Sequence, residues 1–277
     1  MDLGEILDNI FRIYRARFPL LAGLAVLVSL PNLLLQYLTG SFAQMGFILD
    51  AFSRAAQGSN PALSPPPPTE FSTGTVIGVV VSYLVLVLLL PFSNATVLRA
   101  ATSIALGERT GFLPALRGVL DRYWALWGYL LVFGLFVLAT LIPFPVLIWV
   151  GVPWWGVGLP ALLVERVGPF RSLGRGFDLV RGHWWRTFGI LVLLFILNWL
   201  LSYPILILFG GLGFVAAFVP FFPTVVKGGL FYVGAVLSSA LLLPIFELGR
   251  TMIYLDLRVR NEAYDLQRLA QEVAAPG

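Results

Sequence analysis

The chain has 277 residues, of which 58% are hydrophobic and only 12% are charged. Soluble domains carry about 25% charged residues and lack apolar stretches of 20 residues, so this composition indicates a membrane protein. The sequence has no cysteine and a single histidine, which excludes disulfides, thiol chemistry and multi-histidine metal sites. We therefore expect no cofactor, and we attribute the net charge of +4 to membrane topology and not to nucleic-acid binding.

Six apolar stretches are long enough to span a bilayer as helices, because about 20 residues at 1.5 Å each cross the roughly 30 Å hydrocarbon core. We expect these spans to pair into three hairpins within a single membrane domain over 1–277. The predicted fold class is therefore all-α, a polytopic membrane protein with six transmembrane helices. The predicted spans are, in chain order, about 18–39, 74–98, 124–142, 146–164, 188–209 and 229–254.

Proline and glycine mark the irregular parts of this arrangement. The segment 41–73 contains a run of four prolines at 65–68, which fits neither a helix nor a sheet, so we predict an extended external loop there. Pro153 and Pro160 lie in the fourth span and predict a kinked or partly broken helix. The segment 210–228 is apolar but rich in glycine and proline. It is either an external loop packed on the bundle or a shallow re-entrant segment.

The predicted cytoplasmic segments have the periodicity of amphipathic helices. In 3–17, 112–127 and 170–184, apolar residues recur every three or four positions, with charged residues on the opposite face. Such helices lie in the membrane interface, so we predict three interfacial helices that each lead directly into a span. A further cytoplasmic helix is predicted over 255–273. The second and third segments match at a spacing of 57 residues, which favours an internal repeat over a pattern common to all such helices.

The basic residues predict the orientation of the spans. Sixteen of the eighteen basic residues lie in four clusters beside the predicted cytoplasmic segments, whereas Arg54 and Lys227 lie at the opposite ends of the spans. Short cytoplasmic loops of membrane proteins carry such an excess of positive charge. We therefore expect a multi-pass protein whose amino and carboxyl termini are both cytoplasmic.

Seventeen of the eighteen basic residues are arginine. The planar guanidinium group binds a phosphate through two hydrogen bonds at once, which lysine cannot do. An arginine-rich collar beside the interfacial helices is thus a candidate site for anionic lipid headgroups. The alternative is that these arginines only set the topology. The candidate headgroup ligands are Arg117, Arg166, Arg171, Arg175, Arg181 and Arg186.

Acidic residues near the cytoplasmic ends of the spans are candidates for structural ion pairs. Glu247 and Arg250 stand one helical turn apart, and such a pair at the interface contributes only about 0.3 kcal/mol; the alternative is a functional charge inside the span. Glu165 ends the fourth span and either anchors the next interfacial helix or is solvated. The carboxyl-terminal helix is predicted to carry i, i+4 ion pairs and to dock onto the interfacial helices. Its paired residues are Asp256, Arg258, Arg260 and Glu262.

Three motifs in these segments resemble a known family of bacterial membrane proteins. They lie at 160–186, at 254–266 and at 6–15. Their most informative residues are Glu165-x-x-Gly168-Pro169 and Leu179-Val180-Arg181-Gly182-x-Trp184-Trp185-Arg186, then Tyr254-x-Asp256-Leu257-Arg258-Val259-Arg260-x-Glu262, then Phe11-Arg12-x-Tyr14-Arg15. Together they resemble the family named for the membrane domain of glycerophosphoryl diester phosphodiesterase. The pair Ala263-Tyr264 departs from the glycine and phenylalanine expected there.

The resemblance implies a six-span protein of the bacterial cytoplasmic membrane, and it does not imply phosphodiesterase activity. That activity belongs to a separate (β/α)₈ barrel, and this sequence has no alternating strand and helix pattern that predicts one. We therefore expect a non-enzymatic protein that binds anionic lipid and acts as a membrane-organising or partner-binding scaffold, whose partner is either another protein or a second copy of the chain. The alternative is a small transporter or lipid-handling permease with a site near the fourth span and 210–228, because discontinuous helices form transporter sites.

Overall fold

The computed structural model describes residues 3–58, 73–108, 110–141, 146–219 and 221–274. These residues form ten helices and no strand, which confirms the all-α class. The helices are α1 (Leu3–Ala16), α2 (Phe18–Leu38), α3 (Ser41–Ala56), α4 (Thr73–Ala105), α5 (Phe112–Leu120), α6 (Tyr123–Leu141), α7 (Val146–Val164), α8 (Pro169–Val180), α9 (Trp184–Ala217) and α10 (Thr224–Ala274).

Five helices of the described chain are long and apolar enough to cross a membrane. They are α2, α4, α6, α9 and α10, and their mean hydropathy over the spanning window lies between 1.7 and 2.4. The predicted fourth span, α7, contributes a shorter apolar stretch over Ile148–Val164. The structure therefore has the character of a membrane-spanning protein, with five helices of spanning length where the sequence predicts six.

The first part of the predicted external loop is helical. α3 covers Ser41–Ala56 and follows Gly40, whose positive φ of 75° turns the chain at the end of α2. Gly46 lets α3 approach Thr224 so closely that a Cβ at this glycine would collide with the threonine carbonyl. The prediction of an extended loop is thus wrong for α3, because the prolines that motivated it lie further on, at 65–68, outside the described residues.

Most of the glycine-rich segment 210–228, which follows the predicted fifth span, is also helical. α9 continues through the glycines at 210–211 to Ala217, and α10 begins at Thr224, so the loop prediction is wrong for 210–217 and for 224–228. Glycine disfavours a helix by about 1 kcal/mol relative to alanine. Here it permits a close contact, since a Cβ at Gly213 would lie 2.6 Å from the carbonyl oxygen of Lys227.

Two other predicted boundaries differ from the structure. α7 runs without interruption from Val146 to Val164, although Pro153 and Pro160 lie inside it, so the fourth predicted span is not broken. The carboxyl-terminal helix predicted over 255–273 is the end of α10 and not a separate element. The residues 255–273 are helical as predicted and differ only in continuing α10. α7 stays helical through Pro160 because Arg250 satisfies the carbonyl of Gly156, which the proline leaves without a donor.

Three short amphipathic helices precede membrane-length helices. One, two and three residues separate α1 from α2, α5 from α6 and α8 from α9. The break after α8 contains Gly182, whose φ of 84° lies in the left-handed region that glycine adopts without strain. The predicted interfacial helices are thus present as helices, although α5 ends at Leu120 and α8 at Val180, earlier than predicted.

The contacts of the chain divide it into two compact units. The first comprises Met1–Leu21, Asn94–Leu197 and Pro244–Gly277, and the second comprises Ala22–Ser93 and Asn198–Leu243. Every candidate site residue predicted from the sequence belongs to the first unit.

The first unit positions α8 through a close contact with α7. A Cβ at Gly176 would lie 2.6 Å from the carbonyl oxygen of Trp154 and 3.1 Å from the Cα of Gly158. Ser172 is fully buried beside this contact, and its hydroxyl donates a hydrogen bond to the carbonyl of Pro169 at 2.8 Å. Small residues therefore let the two backbones approach, as at helix interfaces of membrane proteins. The position of α8 determines where its arginines lie.

Candidate functional site

α10 carries a buried ion pair whose arginine also contacts α7. Glu247 is 0% exposed and Arg250 is 9% exposed, and the Nη1 atom of Arg250 lies 3.2 and 3.1 Å from the two carboxylate oxygens. The Nε atom of Arg250 donates to the carbonyl of Gly156 at 3.1 Å. That carbonyl is free because Pro160, four residues later, has no N–H to donate to it. A proline of α7 thus exposes the acceptor that an arginine of α10 uses.

The burial of this ion pair changes the contribution to stability that the sequence predicts for it. Glu247 and Arg250 do not form a solvated interfacial pair worth about 0.3 kcal/mol, because both side chains are buried. Burying one charge without the other is costly, so each residue depends on its partner. Tyr129 lies in the same region and donates to the carbonyl of Trp155 at 2.6 Å, which satisfies another acceptor near the proline.

A second cluster of ion pairs holds α8. Arg175 donates from Nε to Oε1 of Glu165 at 3.0 Å and from Nη2 to Oε1 of Glu262 at 2.6 Å. The hydroxyl of Tyr254 donates to the same oxygen of Glu165 at 2.8 Å. Arg258 donates from Nε to both oxygens of Glu262, at 2.9 and 3.0 Å. These five side chains connect the carboxyl-terminal end of α7, the middle of α8 and the last part of α10.

Arg175 is therefore held by two carboxylates. Burial opposes its positive charge, but the hydrogen bonds and charges of Glu165 and Glu262 outweigh burial, and the pKa of Arg175 lies above its ordinary value. Glu165 anchors α8, one of the two roles left open by the sequence. The sequence predicts that Arg175 is a headgroup ligand, whereas in the structure its guanidinium group is bound to these two carboxylates.

A third cluster lies one turn away on α10. Asp256 is 3% exposed and accepts hydrogen bonds from Arg186 at 2.6 Å and from Arg260 at 3.0 Å. Asn261 donates from Nδ2 to the carbonyl of Leu179 at 3.1 Å, near the end of α8. Both i, i+4 pairs expected on this helix are present, and they join the contacts that attach α10 to α8 and α9.

Two arginines that the sequence does not single out stabilise the turn between α7 and α8. Arg99 donates from Nη1 to the carbonyl of Leu163 at 3.3 Å. Arg122 donates to the carbonyls of Arg166 and Val167, the second at 3.3 Å. Cations are favourable where a helix ends, because the last carbonyls have no partner within the helix. The sequence alone does not distinguish these two arginines from the other clustered arginines. In contrast, Pro160 in the predicted fourth span does predict the free carbonyl of Gly156 that Arg250 uses.

Four of the six candidate headgroup ligands are exposed. Their side chains make no hydrogen bond or ion pair with any residue that the structure describes. They are Arg117, Arg166, Arg171 and Arg181. Arg175 and Arg186, in contrast, are bound to carboxylates. The structure therefore separates the predicted collar into arginines that hold the helices together and arginines that face outward.

Arg166 also adopts an unusual backbone conformation. Its φ of 54° is the only positive φ of a residue other than glycine in the described part of the chain. The left-handed conformation costs an ordinary residue roughly 1 kcal/mol. At the end of α4, the corresponding left-handed position is held by Gly107, with φ of 77°.

The exposed face of α8 combines arginine with phenylalanine. Arg171 and Arg181 lie on it together with Phe170, which is 75% exposed, and Phe177, which is 43% exposed. At about 100° per residue these positions fall within roughly a third of the helix circumference. α8 is amphipathic as predicted, but its phenylalanines stay exposed at the edge of the apolar face, beside Arg181. The face toward α7 requires small residues such as Gly176. Phe177 lies at the edge of that face, where its ring meets Trp154 of α7 edge-on with centroids 5.1 Å apart.

No protein-family model, curated protein or solved structure that was compared with this chain matches it. Among the described residues, no group of three or more histidine, aspartate and glutamate side chains is placed to hold a metal ion. The function of the chain is therefore inferred from the arrangement of its arginines and their carboxylate partners.

Proposed function

We propose that this chain is a non-enzymatic membrane protein with six spans and cytoplasmic termini, which binds anionic lipid headgroups through its exposed arginines. The proposed site, the headgroup surface, consists of Arg166 in the turn after α7, Arg171 on α8 and Arg181 at the carboxyl-terminal cap of α8. Arg117 on α5 is a further ligand. The supporting observation is the division of the predicted collar. Carboxylates hold Arg175 and Arg186, whereas the side chains of the headgroup surface have no partner among the described residues.

The aromatic residues of this region favour an interfacial position for α8. Trp124 and Trp185 are 81% and 79% exposed in the first turns of α6 and α9. Tryptophan is enriched at the boundary between hydrocarbon and headgroups. Phe170, which is 75% exposed, offers a further apolar contact for the membrane beside Arg171 and Arg181. A helix with this face lies naturally at the membrane surface, where arginine meets phosphate.

The conformation of Arg166 supports a role for its side chain. Glycine at this position would remove the strain of the left-handed conformation. An arginine that stays exposed in a strained position is more consistent with ligand binding than with stabilisation of the turn. The turn itself is held by the side chains of Arg99 and Arg122, which donate to backbone carbonyls.

We infer that the protein acts as a membrane-organising or partner-binding scaffold, as the resemblance to the phosphodiesterase membrane-domain family suggests. α7 completes the proposed set of six spans, because its 19 residues reach about 28 Å, close to the roughly 30 Å hydrocarbon core. The continuity of α7 and the helical conformation of α9 up to Ala217 favour the scaffold over the transporter alternative.

The proposal is tested by the lipid that remains bound to protein purified in detergent. Near an anionic surface each arginine contributes about 1 kcal/mol, so replacing Arg166, Arg171 and Arg181 by glutamine weakens binding by about 100-fold. The triple lysine variant keeps the charge but loses bidentate geometry, and we expect an intermediate loss. Native mass spectrometry with phosphatidylglycerol or cardiolipin measures both variants. Arg54→Lys, in the second unit, is the matched control.

Equal retention of anionic lipid by wild-type protein and the triple glutamine variant would refute lipid binding at this surface. Equal retention by wild type and the triple lysine variant, with loss in the glutamine variant, would assign the binding to charge alone. Arg175 is left unchanged in these variants, because its loss would also release α8 from Glu165 and Glu262.

The proposed orientation has its own test, which uses the absence of native cysteine. Gln57→Cys lies just after α3 and is exposed, so an impermeant maleimide added to intact cells should label it. Arg117→Cys should be labelled only after the membrane is permeabilised. The opposite labelling pattern would invert the topology. Lys227 is unsuitable as an external probe, because it is 6% exposed and paired with Asp50.

A further inference from the structure

The second unit contains an apolar groove along α2. The groove has a volume of about 640 Å³, within the range of sites that bind small ligands. Most of its lining residues recur at intervals of three or four along α2 and so share one face of that helix. The lining residues are Leu27, Leu30, Pro31, Leu33, Leu34, Tyr37 and Phe42.

Aromatic rings close one end of the groove. The ring of Phe42, from α3, stacks on Tyr232 of α10 with centroids 4.8 Å apart. Tyr37 meets Phe42 edge-on, with centroids 5.7 Å apart. Tyrosine is enriched where a span leaves the hydrocarbon, so this aromatic cluster indicates the level of the headgroups at the end of α2.

The length of the groove matches one leaflet. From Leu27 to Tyr37 the helix advances ten residues, or about 15 Å, which is half of the roughly 30 Å hydrocarbon core. α2 has the length and hydropathy of a membrane span, and most of its surface is not covered by other parts of the protein. A groove that begins near the bilayer centre and ends at an aromatic cluster has the dimensions of one lipid chain.

We propose that this groove binds one acyl chain of a phospholipid from the leaflet at the carboxyl-terminal end of α2. The lining is almost entirely hydrocarbon, so it offers no set of partners for a polar ligand. The nearby polar side chains, Asn32 and Gln36, lie on the opposite face of α2 and are paired with each other at 3.5 Å. This site is separate from the headgroup surface, and it depends on neither the arginines nor the proposed scaffold role.

Photo-crosslinking in nanodiscs tests the proposal on the full-length protein. The probe is a phosphatidylcholine with a diazirine in its acyl chain, and the labelled residues are mapped by peptide mass spectrometry. We expect labelling of 27–37 to saturate at a low fraction of probe and to be displaced by unlabelled lipid. Exposed residues of α6, such as Leu131 and Leu135, should instead be labelled in proportion to the probe.

Filling the groove provides the decisive comparison. Leu34 is 58% exposed, so Leu34→Trp occupies the groove without disturbing the core, and we expect it to abolish the saturable labelling. Leu135→Trp, at a residue 66% exposed on α6, should leave that labelling unchanged. Leu30→Trp serves as a second variant, and gel filtration verifies that each protein remains folded.

Two results would overturn the proposal. One is labelling of the groove that rises linearly with probe and equals that of α6. The other is efficient disulfide-linked dimer formation by Leu34→Cys in membranes, which would show that a second copy of the chain covers the groove. Either result leaves the arginine variants of the headgroup surface unaffected, so the two proposals fail independently.

Discussion

Replacement of Arg250 by methionine should destabilise the protein far more than an ordinary ion pair suggests. The substitution leaves Glu247, which is 0% exposed, without its partner, and it leaves the carbonyl of Gly156 without a donor. Breaking a buried pair by removing one partner costs about 3–5 kcal/mol. In domains of 150–250 residues, each kcal/mol shifts the melting temperature by about 2–4 °C, so we expect a decrease on the order of 10 °C.

The double variant Glu247→Leu/Arg250→Met separates two contributions to this loss. It removes the stranded carboxylate but still leaves the Gly156 carbonyl unsatisfied, which costs about 1–3 kcal/mol. We therefore expect its stability to lie between those of wild type and the single variant. Arg181→Met is the matched control, because that arginine is exposed, and a surface substitution of this kind changes stability by about 0.5 kcal/mol at most.

Thermal unfolding of detergent-purified protein, followed by fluorescence or by the fraction that remains monodisperse after heating, measures all three variants. A melting temperature of Arg250→Met within about 2 °C of the Arg181→Met control would refute the reasoning, because a buried carboxylate cannot lose its cation at so small a cost. A double variant no more stable than Arg250→Met would assign the loss to the carbonyl of Gly156 and not to Glu247.

Three further predictions use the same unfolding assay. Gly176→Ala should cost about 1–3 kcal/mol of stability, because the new Cβ would lie 2.6 Å from a backbone carbonyl of α7. The control Gly174→Ala, which has nothing within 4 Å of its Cβ, should be neutral or stabilising. Similar melting temperatures of the two variants would argue against the close contact of α8 with α7. Asp50→Asn should cost about 3 kcal/mol, since it leaves the buried Lys227 without a carboxylate, and an unchanged melting temperature would contradict that pairing. Arg166→Gly should raise stability by about 1 kcal/mol and lower the retention of anionic lipid; a gain in stability with unchanged lipid would remove this arginine from the headgroup surface.

The sequence by itself determined the class of this protein and most of its helices. Long apolar stretches and the spacing of apolar residues are local properties, so they predict membrane-length helices and the short helices that precede them. The same local information was misleading at α3 and at 210–217, where loop signals lay beside residues that tertiary contacts keep helical. Gly213 illustrates the reason, because its lack of a side chain is used for contact with α10 and not for a turn.

Only the tertiary structure decided which charged residues face each other. The sequence marks Arg171, Arg175 and Arg181 alike, as arginines at similar spacing on one short helix. Their roles differ because α10 brings Glu262, and the end of α7 brings Glu165, to Arg175 alone. Contacts between residues 87 positions apart in the chain depend on how the helices pack, which periodicity along a single helix does not encode. The distinction between arginines that hold the fold and arginines free to meet phosphate therefore belongs to the packing of α7, α8 and α10.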